Sequence, residues 1–267
     1  MDLSAAARQL GIHYQTAYRW VREGRLSAVK VAGSYHVTED EVARVAARRS
    51  EPAPPTRRSP VRNWGPPVER FTDLLLAGDE LGARAVVERL AHGGVQPVQL
   101  MDSLLAPSLR RIGQAWEEGS ASVAVEHRAT SVCERLIARL SVHPRGRPRG
   151  VCLVATPPGE RHSLPAAMAA IALRANRWQV HHLGADVPAA DLLELATTVG
   201  ADLLVLSVAT EPAQETAAGI AGRLVGSPTR ALVGRPGASL VELLRAARRS
   251  GPGPGQAVEY APDPSTA

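Results

Sequence analysis

The chain has 267 residues, of which 45% are hydrophobic and 21% are charged, and its formal net charge is +5 at pH 7. This length predicts two domains or three small ones, and the absence of an uninterrupted apolar run of about 20 residues excludes a membrane-spanning helix. The modest positive charge permits nucleic-acid binding but does not establish it.

The cysteines and the amino terminus indicate the cellular compartment of the protein. Cys133 and Cys152 stand far apart in apolar runs, so we expect no disulfide framework and a reducing environment. Residues 1–4 do not join a basic segment to an apolar one, which argues against a secretion signal. We therefore expect a soluble, cytoplasmic protein with no membrane partner.

The first two helical patterns predict a helix-turn-helix. One pattern covers residues 3–10, with Ser4 as the expected N-cap, and Gly11 ends it. A second pattern begins near Tyr14 and ends at Gly24. Because the second helix of such a pair can lie in the major groove, the segment is typical of a DNA-binding domain.

A hairpin and a third helix complete this module. Residues 28–37 alternate around Gly33 and Ser34 as the two strands of a hairpin do. Thr38 and Glu41 then form the capping pattern of a third helix. The hairpin would be the wing of a winged helix-turn-helix.

The module carries a family resemblance. Gly11-Ile-His-Tyr-Gln-Thr-Ala-Tyr-Arg-Trp20 and the following Gly24-Arg-Leu26 resemble the winged helix-turn-helix of the MerR and excisionase families. The resemblance spans residues 1–50 and implies binding to double-stranded operator DNA, with Trp20 as a core anchor. One such module is a weak specific binder, so we expect a homo-oligomer, a dimer or tetramer, that reads repeated half-sites.

Eight side chains are candidates for DNA contacts by their positions in the module. The second helix carries four that are expected at base edges or phosphates: Tyr14, Gln15, Thr16 and Arg19. The end of that helix and the wing carry four that are expected at the DNA backbone: Arg22, Lys30, Tyr35 and His36. A solvated polar face is the alternative interpretation of each.

A linker and a helical bundle follow. Residues 51–67 are rich in Pro, Arg and Ser, which predicts a semi-rigid linker. Four helical patterns come next: residues 68–77, 80–92, 97–117 and 122–141. Pro97 suits a first helical position, and Ser120 or Ser122 suits an N-cap. Short connections between four helices predict an up-and-down bundle over residues 68–142.

The end of the third helix and the fourth helix carry a possible site. Nine residues separate Trp116 from the adjacent pair Glu126 and His127. An indole beside these groups would provide a flat apolar lid next to polar side chains. A core tryptophan with a surface glutamate and histidine is the alternative interpretation.

The region 149–262 predicts a flavodoxin-like (Rossmann-type) domain. Apolar runs alternate with helical segments and indicate a five-stranded parallel sheet. The predicted strands cover residues 151–155, 179–183, 203–207, 231–233 and 257–260. His181 and His182 lie on a strand and are expected to be structural. The residues after Gly251 should include a disordered tail.

The first strand-to-helix loop, residues 155–165, contains Glu160 and His162. Such loops lie at the carboxyl edge of a parallel sheet, where ligands bind. A carboxylate two residues before a histidine can fix its tautomer, and the other ring nitrogen can then bind a metal.

Trp-x9-Glu-His in a bundle, followed by Glu-x-His in an α/β loop, resembles the cobalamin-binding module of CarH- and LitR-type regulators, which are MerR-family photoreceptors. The winged helix-turn-helix completes their domain order, so the resemblance covers nearly the whole chain. It implies that His162 ligates cobalt from the lower face and that Glu160 orients it. Trp116 would cover the upper axial group, and Glu126 and His127 would line the upper pocket.

The same resemblance assigns the other loops. The second loop of the family matches Gly184-Ala-Asp-Val-Pro188. The third and fourth loops, which receive the nucleotide tail of cobalamin, match Ser207 with Thr210 and Gly234 with Gly237. Ordinary turns at strand ends are the alternative interpretation of these small residues.

Two positions depart from the family pattern. Pro165 stands where the family motif Glu-x-His-x-x-Gly has glycine, which implies a reshaped loop or a narrower pocket. Glu117 stands where the photoreceptors have a histidine that takes the upper cobalt position after light. A bis-histidine light state would then require His127 as a substitute.

Three hypotheses follow, and none of them is an enzyme. The leading one is a repressor that oligomerises with adenosylcobalamin in the dark and releases DNA in light. The second is a light-independent regulator whose degenerate cobalamin-binding fold responds to another ligand or partner. The third, a corrinoid carrier for methyl transfer, has no use for a helix-turn-helix.

Overall fold

The computed structural model describes residues 1–10, 12–22, 26–31, 33–50, 61, 63–248 and 258–260. The chain divides into two compact units, Met1–Arg58 and Ser59–Ala267, and each has its own hydrophobic core. The helix-breaking glycines at positions 11 and 24, most of the predicted linker and most of the predicted tail lie outside the described residues.

The first unit has the predicted winged helix-turn-helix order of elements. In chain order these are α1 (Leu3–Gln9), α2 (Tyr14–Arg22), β1 (Val29–Val31), β2 (Ser34–His36) and α3 (Glu39–Ser50). The strands pair antiparallel, and the core-anchor prediction for Trp20 is confirmed, since only 9% of it is exposed. The N–H of Glu41 donates to the Thr38 hydroxyl at 3.3 Å, so Thr38 caps α3 as predicted.

The predicted N-cap of α1 is wrong. Asp2, not Ser4, takes this role, and its carboxylate accepts a hydrogen bond from the Ala5 N–H at 2.7 Å. The helix begins at Leu3, so Ser4 already lies inside the first turn. A carboxylate also interacts favourably with the positive end of the helix dipole.

Helices form the first part of the second unit. They are α4 (Gly65–Ala77), α5 (Glu80–His92), α6 (Pro97–Leu100), a π-helical turn (Met101–Leu105), α7 (Ala106–Glu117) and α8 (Val123–Arg139). Prolines 66 and 67 occupy the first turn of α4, where no N–H donor is needed, so the end of the predicted linker is helical. Ser122 caps α8 through the Val125 N–H at 3.4 Å. No helix in the described ranges is long and apolar enough to cross a membrane.

The third predicted bundle helix is not uniform. Pro107 has no N–H, and its ring would clash with the carbonyl four residues earlier. The preceding turn is widened, and the Ala106 N–H donates to the carbonyl of Met101, five residues back. This π-turn relieves the clash without ending the helix, and Met101, Leu104 and Leu105 stay fully buried in the bundle.

The rest of the second unit is a doubly wound α/β domain. Its elements are β3 (Val151–Ala155), α9 (Ser163–Ala175), β4 (Gln179–Gly184), α10 (Ala189–Thr198), β5 (Leu203–Leu206), α11 (Glu211–Arg223), β6 (Arg230–Gly234), α12 (Leu240–Arg248) and β7 (Val258–Tyr260). The five strands are parallel in the order β4-β3-β5-β6-β7. This is the flavodoxin-like order, and the predicted fold class is confirmed.

The bundle shares a hydrophobic core with one face of the sheet. Alternate strand residues such as Val154 and Val205 join this core with side chains from α9, α12 and the bundle, among them Phe71 and Ile137. The other face forms a separate core with α10 and α11. Cys133 and Cys152 are buried free thiols in the core shared with the bundle.

Asp102 in the π-turn joins the bundle to α12. Its carboxylate accepts hydrogen bonds from the N–H of Leu240 at 2.9 Å and of Val241 at 3.3 Å. Burial raises the pKa of Asp102, although these two bonds oppose the shift. A residue 138 positions away therefore caps the first turn of α12.

We expect Asp102→Ala to lower the free energy of unfolding of the second unit by about 1–2 kcal/mol, because the N–H groups of Leu240 and Val241 lose their acceptor. Urea denaturation followed by circular dichroism measures this change. Asp73→Ala is the matched control, since Asp73 is an exposed carboxylate on α4. We expect the control to stay within about 0.5 kcal/mol of the unmodified chain, and equal losses would contradict a capping role for Asp102.

Candidate functional site

Glu160 lies at the carboxyl edge of the sheet, in the loop between β3 and α9, and is only 1% exposed. Its Oε2 accepts hydrogen bonds from the N–H groups of Ala209 and Thr210, both at 2.9 Å, and from the Thr210 hydroxyl at 3.0 Å. Its Oε1 accepts one from the His162 N–H at 3.0 Å. The buried carboxylate thus joins the loop after β3 to the loop after β5.

The environment of Glu160 keeps the carboxylate ionised. Burial alone would raise the pKa of Glu160. The hydrogen bonds from the backbone of His162 and Ala209, with those from the His162 ring and the Thr210 hydroxyl, outweigh burial and lower the pKa to about 2. At neutral pH the site therefore contains a negative charge that is fully hydrogen-bonded but shielded from solvent.

His162 is held by this carboxylate at one ring nitrogen only. Its Nδ1 lies 2.6 Å from Oε1 of Glu160, while 62% of the side chain is exposed. Because an ionised carboxylate can only accept, Nδ1 of the neutral ring must donate, and Nε2 keeps its lone pair. Nε2 has no hydrogen-bond partner among the described residues, so it is available as a metal ligand.

A second set of hydrogen bonds joins the loops after β3 and β4. The Thr156 hydroxyl donates to the carbonyl of Glu160 and accepts from the N–H of Asp186 at 2.8 Å. The Asp186 carboxylate accepts from the Gly159 N–H at 2.8 Å. Asp186 has a φ of +56°, which non-glycine residues seldom adopt. Three loops at the carboxyl edge are thus fixed around the Glu160–His162 pair.

The residues predicted in the third and fourth loops have different surroundings. Ser207 is 5% exposed at the end of β5. Thr210 is bound to Glu160 through both its N–H and its hydroxyl. A Cβ on Gly234 would lie 2.7 Å from Oη of Tyr260, so packing requires glycine there. The predicted contacts of these residues with a nucleotide tail stay predictions.

The bundle residues predicted for the upper pocket lie near the connection between α7 and α8. Trp116 is 48% exposed. This exposure agrees both with an indole that covers a ligand and with an ordinary surface tryptophan. Glu126 accepts a hydrogen bond from the Thr130 hydroxyl at 2.8 Å and lies 3.6 Å from Nε2 of the exposed His127. Among the described residues, neither Glu126 nor His127 forms a hydrogen bond or ion pair with Glu160 or His162.

The first unit presents most of the predicted DNA-contacting side chains to solvent. The exposed ones are Tyr14, Gln15, Arg19, Arg22, Lys30 and His36, whereas Thr16 and Tyr35 are half-buried. Sequence reasoning missed Tyr18, whose ring stacks on Tyr14 at 6.4 Å and meets the Tyr35 ring edge-on at 5.8 Å. The spacing of Tyr14 and Tyr18 on one helical face was the available signal. This aromatic row connects α2 to the wing.

Family comparisons agree with both units. Residues 1–50 match the model of a helix-turn-helix domain. Residues 67–141 and 150–240 match two models that are each described as a B12 binding domain. The matched ranges correspond to the first unit, the bundle and the α/β domain.

Two similar proteins come from Myxococcus xanthus. The chain is 36% identical to the HTH-type transcriptional repressor CarH over 121 residues, which are 45% of this chain and 40% of that repressor. It is 29% identical to the HTH-type transcriptional repressor CarA over 248 residues, which are 82% of this chain and 80% of CarA. The chain is similar to both of these transcriptional repressors.

A solved structure has a similar fold. The Methanosarcina barkeri monomethylamine corrinoid protein superposes with a TM-score of 0.53 and 16% identity, over 73% of this chain and 93% of that one. At this identity the likeness concerns the fold alone. The alignment with CarH spans less than half of that repressor.

Pro165 fits the local backbone. Helix α9 begins at Ser163, three residues before the predicted helical run, so Pro165 is the third helical residue. The first four N–H groups of a helix have no partner within it, and the missing donor therefore costs nothing. The reshaped loop and the narrower pocket both stay predictions.

We expect Gly234→Ala to destabilise the second unit by about 1–3 kcal/mol, because the new methyl group would displace the Tyr260 ring. Thermal unfolding measures the loss. Gly219→Ala is the control, since nothing lies within 4 Å of a Cβ built at that helical position. There alanine should stabilise α11 by about 0.5–1 kcal/mol, and a similar gain at Gly234 would show that Tyr260 moves freely.

Proposed function

We propose that this chain is a DNA-binding transcriptional repressor whose second unit binds cobalamin through His162. The observation that carries the proposal is the Glu160–His162 pair, in which a buried carboxylate holds Nδ1 and leaves Nε2 available. One imidazole nitrogen suits a metal that a macrocycle already surrounds, because such a metal needs a single axial ligand from the protein. The B12 binding domain matches support the same ligand.

Each chain residue has a defined task in this proposal. Glu160 fixes the tautomer and the direction of the His162 ring, and Thr210 and Ala209 fix Glu160 in turn. Trp116, Glu126 and His127 would line the upper side of the pocket from the bundle. Ser207, Thr210 and Gly234 would line the path of the nucleotide tail.

We infer that the cofactor form is adenosylcobalamin and that the signal is light. When bound, adenosylcobalamin supplies a light-labile bond between cobalt and carbon. In the dark the loaded chain would form a dimer or tetramer on operator DNA, and illumination would separate the oligomer and release the DNA. The two Myxococcus xanthus relatives, which are named as repressors, support the regulatory part of the proposal.

A second candidate is a cobalamin-binding repressor that does not respond to light. Glu117 favours it, since this exposed side chain at the end of α7 stands where the photoreceptors have histidine. A carboxylate is a poorer ligand than imidazole for this cobalt. His127, which is 75% exposed, is the other imidazole available on this side.

The test loads the purified full chain with adenosylcobalamin in darkness and removes the excess. The visible spectrum and the gel-filtration elution volume are then recorded before and after green light. We expect retained corrin absorbance, a spectral change on illumination and a smaller species afterwards.

Each other outcome selects a different function. Retained corrin without any response to light would leave the light-independent repressor as the function. A chain that retains no corrin would contradict cobalamin binding altogether. A mobility-shift assay with duplex DNA completes the test, and a corrin-loaded chain that binds no DNA would indicate a corrinoid carrier for methyl transfer.

A further inference from the structure

A cluster of arginines surrounds the turn between α9 and β4. Nε of Arg149 donates to the carbonyl of Asn176 at 2.9 Å, and Nη2 of Arg248 donates to Oδ1 of the same residue at 2.8 Å. Arg174 and Arg177 line a cavity beside this turn, together with His143, Pro144, Gly146 and Pro148, which alternate along the chain with Arg145 and Arg147. We define the amino-edge arginine cluster as the following set: Arg145, Arg147, Arg149, Arg174, Arg177 and Arg248.

The positive charge of this cluster is not neutralised by ion pairs in the part of the chain that the structure describes. None of its arginines forms an ion pair among the described residues, and all except the half-buried Arg174 are exposed. Two bundle arginines differ in this respect, since Arg135 pairs with Glu80 and Arg84 pairs with Glu88. A group of like charges without counter-charges repels itself and favours the binding of an anion.

Arg177 occupies a backbone position that usually holds glycine. It follows the C-cap of α9 with a φ of +67°, and the Trp178 N–H donates to the Leu173 carbonyl at 3.1 Å. This is the Schellman arrangement, in which the left-handed residue is most often glycine. The chain instead places a long cationic side chain there, directly beside the cavity of the cluster.

The cluster lies on the opposite edge of the sheet from the Glu160–His162 pair. Arg149 precedes β3, Arg177 precedes β4, and Arg248 is the last residue of α12. All three positions are at the amino edge of the parallel sheet, whereas Glu160 and His162 follow β3 at its carboxyl edge. An anion can therefore bind the cluster while the cofactor site is in use.

We propose that the amino-edge arginine cluster binds the phosphate backbone of duplex DNA. Guanidinium groups match phosphate oxygens in charge and in hydrogen-bond geometry. The cluster draws on three separate chain segments and is largely exposed, which suits a polyanion rather than one small enclosed ion. This inference rests on the proposed DNA-binding function, because the winged helix-turn-helix of the same chain would bring the duplex close and raise its local concentration.

The test compares the salt dependence of binding to a non-specific duplex for the full chain and for Arg145→Ser/Arg147→Ser. Neither side chain makes a hydrogen bond or ion pair among the described residues, so the fold should be unaffected. Each lost phosphate contact should lower the slope of log K against log salt by about 0.9, and the double variant by up to about 1.8. Arg70→Ser/Arg111→Ser removes the same charge from exposed bundle positions and should keep the original slope.

The other outcomes separate this inference from the function on which it rests. Equal slopes for the unmodified chain and the cluster variant would overturn the inference. Equal losses in both double variants would also overturn it, since they would indicate a general charge effect. If only Gln15→Ala/Arg22→Ser lowers the slope, DNA binding stands and the cluster has no part in it. If the unmodified chain binds no duplex at low salt, both proposals are wrong.

Discussion

Glu160→Gln should lower the free energy of unfolding of the second unit by about 3 kcal/mol. The amide has one acceptor oxygen instead of two, and its NH2 group would face the donors of either His162 or Thr210. A buried donor that loses its acceptor has lost its hydrogen bonds to water without a replacement, and this desolvation penalty destabilises the folded state. Urea denaturation of the full chain measures this loss. The signal is tryptophan fluorescence, to which Trp64, Trp116 and Trp178 of the second unit contribute.

The loss caused by Glu160→Gln should depend on pH with a defined sign. The folded-state pKa of Glu160 is about 2, below its ordinary value of 4.5, so its contribution is present above pH 4.5 and is lost as the pH falls towards 2. The difference between the two proteins should therefore shrink over this window. Glu41 also has a pKa lowered to about 2, by its hydrogen bond from Arg44, but it is common to both proteins and cancels.

A pH-independent difference between the two proteins would contradict the role assigned to the charge of Glu160. Cobalamin retention gives a second measurement on the same variant. A residue that orients a metal-ligating histidine typically contributes 10- to 100-fold to metal affinity, so we expect a weakening of roughly that size. Unchanged retention would show that the orientation of His162 does not depend on Glu160.

His162→Ala should abolish the axial ligation of cobalt while it leaves the fold intact. The side chain is 62% exposed, so its loss should cost no more than about 1 kcal/mol of stability. The protein-bound spectrum of adenosylcobalamin should change, because the cobalt loses its imidazole ligand, and retention after gel filtration should fall further than for Glu160→Gln. The visible spectrum and the bound fraction measure both effects.

His92→Ala is the control for His162→Ala. His92 is an exposed histidine in the last turn of α5, and its Nδ1 contacts the carbonyl of Glu88. Its loss should leave the spectrum and the retention unchanged. If the spectrum of the His162 variant equals that of the unmodified chain, another group ligates the cobalt.

Local sequence patterns predicted most of the architecture. Short apolar runs such as residues 151–155 gave the strands, and the parallel order followed from their alternation with helices. The errors concern positions where two local rules compete. Asp2 replaced Ser4 as a cap, and Pro107 changed a predicted α-helical turn into a π-turn without ending the helix.

The site was only partly predictable, because many of its hydrogen bonds are long-range. Glu160 and His162 are two residues apart, and their pairing could be inferred from spacing. The groups that lower the pKa of Glu160 include the backbone of Ala209, 49 residues away, which has no sequence signature. The close approach of Tyr260 to Gly234 also arises from tertiary packing, and so does the hydrogen bond from the Leu240 N–H to Asp102.

The carboxylate shared by His162 and Thr210 has a thermodynamic consequence. Thr210 is the N-cap residue of α11, so the position of this helix and the direction of the imidazole ring depend on one group. Suppose that a ligand on Nε2 favours one position of α11. A partner that binds α11 in the same position then raises the affinity for that ligand, and the ligand raises the affinity for the partner by the same factor. A subunit that packs on α11 would therefore tune cofactor affinity from outside the pocket.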